Sequence, residues 1–209
     1  MTSSSEACTM RYALLLNGAN FSCEVLQCLQ QSNVPPDLLV LPEYAPAVER
    51  LSPPVDLVQA EPGRRLLSLA GSIRVAYAPA TEQARCAQLL RQQAIDFLLV
   101  ACWPYLIQPI LIDSASKAAL NLHPSLLPQH RGPDPIGEQL ASADRHFGVT
   151  LHLLNSRFDE GDIVAQSSLT GITSAADRDS IEQQAAKQGC QLFIDAINGY
   201  DGGWQVQPQ

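Results

Sequence analysis

Lysine is nearly missing from this sequence: of 209 residues only Lys117 and Lys187 carry it, and the formal charge is −8. Nucleic-acid backbones are held by clustered Lys and Arg, so the chain offers no basic surface for tRNA or DNA. The six cysteines, at 8, 23, 28, 86, 102 and 190, form no CxxC pair, which argues against a zinc knuckle or a thioredoxin-type redox site. Reduced thiols in the cytoplasm are the plain expectation. Long apolar runs are missing too. The longest, 97–107, is broken by Pro104 and falls well short of the roughly 20 residues needed to span a bilayer. Glu6 stands where a secretory signal would be basic, so neither export nor a membrane partner is expected.

The composition is ample for a core, with 46% hydrophobic residues, and the length suits one α/β domain. Apolar runs alternate with amphipathic segments, the pattern of a mostly parallel central sheet flanked by helices. Strands are predicted at 11–17, 37–41, 73–79, 95–102 (the most apolar, hence central), 118–123, 148–155 and 161–169. Helices are predicted at 21–31, at 81–93 with Thr81 as N-cap, at 134–144 with Pro135 in the first turn, and at 175–198. Ile181, Ala185, Leu192 and Ala196 form the apolar face of the last helix. The segment 42–62 is proline-rich and aperiodic and reads as a loop. The expected organisation is a flexible N-terminus (1–10), one catalytic domain (11–200) and a short tail (201–209).

Between strand and loop, "ALNLHPSLLPQHRG" (119–132) carries the first chemical signal. Strand alternation puts Leu120 and Leu122 on one face and Asn121 and His123 together on the other. An Asn-X-His pair is often only structural. Here, however, "NSRFDEGDI" follows, with Asp159, Glu160 and Asp162 at the end of the strand that carries His152. A histidine can move protons, an amide can donate to a developing oxyanion, and a nearby carboxylate orients the imidazole and raises its pKa. Those are the requirements of acyl transfer to an amine. A metal is not required. Spacing alone does not choose among the three carboxylates.

"NLHPSLLPQHRG", followed by "GVTLHLL" and "FDEGDIV", resembles the catalytic domain of folate-dependent formyltransferases, the group containing methionyl-tRNA formyltransferase and glycinamide ribonucleotide transformylase. The resemblance is strong over 95–166. It implies a Rossmann-like formyltransferase fold and a catalytic trio of Asn121, His123 and Asp159. It implies 10-formyltetrahydrofolate as co-substrate, its pterin in a slot between Tyr105, Leu106 and Ile107 on one side and Asn155, Ser156, Arg157 and Phe158 on the other. A metal trio of His123, His130 and Asp159 is not expected, because His130 occupies a position that the family leaves variable.

On the acceptor side the candidates are Asn17, Gly18 and Asn20 in the turn opening the first helix, where backbone N–H groups suit an anion. Arg131, Asp134 and His152 join them. Asp134 replaces a small residue of the family pattern and could meet a cationic group or simply cap the helix at Pro135. The sequence stops at Gln209 without the tRNA-gripping C-terminal domain of methionyl-tRNA formyltransferases. A small amine-bearing metabolite is therefore the expected acceptor. A formyltetrahydrofolate hydrolase, a non-catalytic folate-binding regulator and a stand-alone methionyl-tRNA formyltransferase-like domain are the alternatives.

Overall fold

A computed structural model describes residues 10–42, 61–142, 146–172 and 176–209. Seven strands, β1 (Tyr12–Leu16), β2 (Leu38–Leu41), β3 (Arg74–Tyr77), β4 (Phe97–Ala101), β5 (Ala118–His123), β6 (Gly148–Leu153) and β7 (Ile163–Ser168), form one sheet. Its order is β3-β2-β1-β4-β5-β6-β7. Pairing is parallel from β3 through β5 and antiparallel from β5 to β7. Among the described residues six helices accompany it: α1 (Asn20–Gln31), α2 (Glu61–Ala70), α3 (Gln83–Gln92), α4 (Pro109–Ile112), α5 (Pro135–Ala141) and α6 (Arg178–Asn198).

Strands β1 and β4 are buried at every position, as expected of parallel strands covered on both faces. Leu14, Leu16, Phe97 and Leu99 pack on one face with Leu26, Leu29 and Phe193 from α1 and α6. Leu15, Leu98 and Val100 pack on the other with Ala87, Leu90 and Leu111 from α3 and α4. The chain leaves β1 in one direction toward β2 and reaches β4 on the opposite side. This is the switch point at which open α/β sheets form a crevice beyond the carboxyl ends of their strands. The amino edge is closed structurally. Asp37 accepts from Arg11 Nε and from the Tyr12 N–H, each at 3.0 Å, and Asp96 accepts from the Arg11 N–H at 3.0 Å.

Three local expectations need correction. Thr81 is not an N-cap: it lies inside a 3₁₀ turn (Ala80–Glu82) that starts at Pro79, whose fixed φ of −62° begins the turn earlier, and α3 follows with no side-chain cap. Helix α2 falls where no element was expected. Pro62 lies in its first turn, where proline is tolerated, and Leu66 and Ala70, four residues apart, supply the buried stripe. The rest of the proline-rich segment, 43–60, lies outside the described residues, as do residues 1–9 of the N-terminus. Finally, Leu192 and Ala196 are only half-buried, and the seam of α6 runs through Ile181, Ala185, Gly189, Phe193 and Ile197. Gly189 explains the rotation. A Cβ there would stand 3.1 Å from Val149 Cγ2 and 3.2 Å from Leu122 Cδ2, so the helix sits flat on β5 and β6 at that point. Asp177 caps α6 through the Ser180 N–H.

Candidate active site

Alternation along β5 sends Leu120 and Leu122 into the α1/α6 side of the core and leaves Asn121 and His123 together on the opposite face. The antiparallel register sets His152 of β6 beside Asn121 and Thr150 beside His123. The turn between β6 and β7 brings Asp159 back to the same place. Hydrogen bonds link His152, Asn121 and Asp159, and His123 Nδ1 faces the same Asp159 carboxylate at 3.5 Å; the proton positions follow from what each partner can accept.

His152 Nδ1 lies 2.9 Å from the Leu153 carbonyl, which can only accept, so Nδ1 carries the proton and Nε2 is a bare acceptor. Asn121 Nδ2 donates to that Nε2 at 3.0 Å, which fixes the orientation of the amide. The second Asn121 N–H points at Asp159 Oδ1 across a long 3.4 Å. Asp159 Oδ2 accepts from the Gly132 N–H at 3.0 Å. His123 Nε2 donates to the His130 carbonyl at 2.8 Å, which leaves Nδ1 as the basic nitrogen, 3.5 Å from Asp159 Oδ1. An imidazole base, a carboxylate and an amide donor held only weakly thus converge.

Burial is the main influence on both histidines. It holds the His123 pKa below the ordinary value, with Asp159 opposing, and it pushes that of His152 down to about 4. Both rings are therefore neutral at pH 7, and His123 is present as the base. The same burial links pH to stability. His152 ordinarily titrates near 6.5, so its contribution is complete above that pH and is lost as pH falls from 6.5 toward 4. The expected loss is on the order of 3 kcal/mol. Thermal melts from pH 7 to pH 4 test this, with His152→Gln, which cannot titrate, expected to show a shallower fall. Equal slopes would overturn it.

The loop after β5 is pinned rather than loose. Thr150 Oγ1 donates to the Ser125 carbonyl at 2.6 Å and accepts from the Leu127 N–H at 3.1 Å. Gln139 Nε2 donates to the Pro124 carbonyl, and Gln166 Nε2 to that of Leu127, each at 2.8 Å. Asp159 itself sits at φ +54°, an uncommon backbone for a residue with a β-carbon. Gly161 is required beyond it, because a Cβ would fall 1.7 Å from the Leu153 carbonyl oxygen.

The residues expected to form the slot lie in two segments. Gln83, buried, donates to the Leu106 carbonyl and accepts from the Gln108 N–H, both at 2.8 Å, so it fixes the segment holding Tyr105, Leu106 and Ile107. Ile107 is buried, whereas Leu106 is 43% exposed; in the second segment Phe158 is 60% exposed. Asn155 Oδ1 accepts from the Arg157 N–H at 2.9 Å, and Arg157 pairs with Glu160 at 3.1 Å. Ser156 is exposed in the same turn.

The remaining acceptor candidates divide. His152 is buried inside the trio's own network. Asn17 and Gly18 shape the turn before α1, with Asn17 Oδ1 accepting from the Ala19 N–H at 2.9 Å and Gly18 at φ +85°. Asn20 and Asp134 are tied to the first turns of α6. Asn20 reaches Asp179 at 3.4 Å, and Asp134 pairs with Arg178 at 2.5 Å while capping α5 through the Gly137 N–H at 3.2 Å. Arg131 pairs with Glu160 at 3.8 Å. The sequence reading missed the His130 carbonyl and the Gly132 N–H, since backbone partners leave no residue-type signal. It also missed Gln83, whose buried amide reads as one polar residue in an ordinary amphipathic helix.

A Rossmann-like sheet with an imidazole, a carboxamide and a carboxylate gathered at the carboxyl ends of its strands defines an α/β protein with one polar cluster there. The family model described as "Formyl transferase" matches residues 42–197. A methionyl-tRNA formyltransferase of Protochlamydia amoebophila is 30% identical over 117 residues, covering 56% of this chain and 36% of that protein. The chain thus spans little more than a third of the length of the curated relatives it matches. The fold is also that of glycinamide ribonucleotide transformylase 1 from Symbiobacterium toebii, with TM-score 0.69, 17% identity, and 96% and 95% of the two chains covered. A formyltetrahydrofolate deformylase from Pseudomonas syringae pv. tomato superposes with TM-score 0.69 and 15% identity over 96% of this chain and 67% of that one. The chain belongs to the formyl transferase family. Among the described residues, no helix is long and apolar enough to cross a membrane.

Proposed function

We propose that this chain transfers a formyl group from 10-formyltetrahydrofolate to the amine of a small metabolite, with Asn121, His123 and Asp159 as the catalytic residues. The observation that carries this reading is the proton arrangement: a neutral His123 with Nδ1 bare and facing a carboxylate, beside an amide N–H held only at 3.4 Å. The folate supplies an activated N-formyl carbonyl. His123 Nδ1 takes the proton that the attacking amine must lose, Asp159 stabilises the resulting imidazolium N–H, and the ring returns that proton to the folate nitrogen as its bond to the formyl carbon breaks. The Asn121 N–H exchanges its long contact with Asp159 for the carbonyl oxygen as negative charge develops there. His152 keeps the amide turned the right way.

Tyr105, Leu106 and Ile107 face Asn155, Ser156, Arg157 and Phe158 as the walls of the folate slot. The bare Leu106 and Phe158 side chains suit a flat aromatic ligand between them. On the acceptor side Asn17, Gly18, Asn20, Arg131 and Asp134 line the approach. The net charge of −8 favours a metabolite over tRNA and a cytoplasmic setting suits its reduced thiols. The superposition on a deformylase motivates one competing reading, hydrolysis of the same donor with water in place of the amine.

Calorimetry with tetrahydrofolate, followed by assays of 10-formyltetrahydrofolate with amino sugars, amino acids and nucleotide-linked amines, separates these. Binding and amine-dependent turnover are expected. Turnover without any amine would establish the hydrolase instead, binding without turnover a folate-binding regulator, and no heat at millimolar folate would end the assignment. Efficient formylation of Met-tRNA by the chain alone would replace the metabolite acceptor.

A further inference from the structure

The segment after α6 turns back along the sheet and reaches the candidate active site. Trp204 packs tilted against Phe97 and edge-on against Tyr200, with centroids 5.9 and 4.9 Å apart, and donates from Nε1 to the Ala196 carbonyl at 3.0 Å. Gln207 then pairs with Ile163 of β7 in an antiparallel bridge whose two bonds are 2.8 and 2.9 Å. This anchoring delivers Gln209 to the turn that carries Asp159. Gln209 Nε2 donates to the Gly161 carbonyl, and Gln209 Oε1 accepts from Arg131 Nη2 at 3.0 Å.

Both partners are neighbours of the carboxylate's own supports. Gly161 lies two residues after Asp159, and Arg131 immediately precedes Gly132, whose N–H holds Asp159 Oδ2 at 3.0 Å. Gln209 thus touches the two backbone segments whose separation sets the position of that carboxylate. Asp159 needs such bracing, because its φ of +54° persists only where surroundings impose it. Orientation is unambiguous: a carbonyl can only accept and a guanidinium can only donate, so a carboxamide satisfies both and neither a carboxylate nor an apolar side chain does.

We propose that Gln209 is a positioning residue whose carboxamide clips the loop after β5 to the turn before β7, and so holds Asp159 against His123 and Asn121. The inference rests on the role proposed above for that trio. Arg131 then serves first as half of the clip.

The test uses the full chain with Gln209→Ala and Gln209→Glu, the latter keeping an acceptor for Arg131 but losing the donor to Gly161. Gln209 is exposed, so melting temperatures should stay near wild type. Two readouts are expected to move together. Formyl transfer should fall roughly tenfold through misplacement of a catalytic group. The His123 imidazole signal in NMR, assigned by its loss in His123→Ala, should titrate at lower pH. Asp159 supports the protonated ring, whereas Glu138, His130 and His152, which also face it, are left in place. A wild-type titration in both variants, or a shifted titration with undiminished turnover, overturns the clip. The titration needs no substrate, so if the wild-type chain transfers no formyl group it decides alone, and the failure of the proposed function stays distinct.

Discussion

His123→Ala is expected to lower formyl transfer by ~100-fold or more, the usual cost of losing a general acid or base, while folate binding stays nearly unchanged. Nε2 is committed to the His130 carbonyl, so the reacting nitrogen is Nδ1, and no other base in the network replaces it. His152 shares the network, but its Nε2 already accepts from Asn121 and its pKa is pushed down to about 4. The wild-type rate should fall with acid as His123 becomes protonated, below the ordinary histidine range because burial lowers its pKa. That acid limb should vanish in the variant. Steady-state kinetics across pH, with calorimetry for the folate, provides the check. Equal loss of binding and turnover would make His123 a structural residue.

Asp159→Asn should cost a similar ~100-fold, for an electrostatic rather than a steric reason. An amide oxygen can still accept from the Gly132 N–H at 3.0 Å, so the turn is expected to keep its shape. The negative charge beside His123 Nδ1 is what disappears, and the imidazolium formed during transfer loses its counter-ion. The His123 pKa should drop further, since Asp159 is the main influence raising it. The two residues act on one proton, so their effects should not multiply: the double variant is expected to be about as slow as either single one. A double variant slower by the product of the two losses would show that the groups work separately.

The α/β class was legible because parallel strands buried on both faces leave long apolar runs, and "YALLL" and "FLLVA" are such runs. The pairing of Asn121 with His123 on one face was legible for the same kind of reason, since strand alternation is a local rule. Helix α2 was not: its stripe is short, and the proline-rich run that ends at Pro62 read as loop. Nor was the seam of α6 at Gly189 and Phe193, because which stripe faces inward depends on how closely Leu122 and Val149 let the helix approach.

Period, proline placement and charge are properties of consecutive residues, so the order of elements, the two polar residues at the end of β5 and the acidic surface were present in the chain before any folding was considered. The choice of Asp159 over Glu160 and Asp162 needed the likeness to a known family, and its reason is tertiary: φ +54° and the Gly132 N–H aim that one carboxylate at His123. The lowered histidine pKa values come from burial, and the proton positions on His123 and His152 and the bracing by Gln209 likewise depend on partners at 2.8 to 3.5 Å that are far apart in sequence or belong to the backbone. Contacts of that kind arise only when distant segments close on each other, and a local pattern carries no record of them.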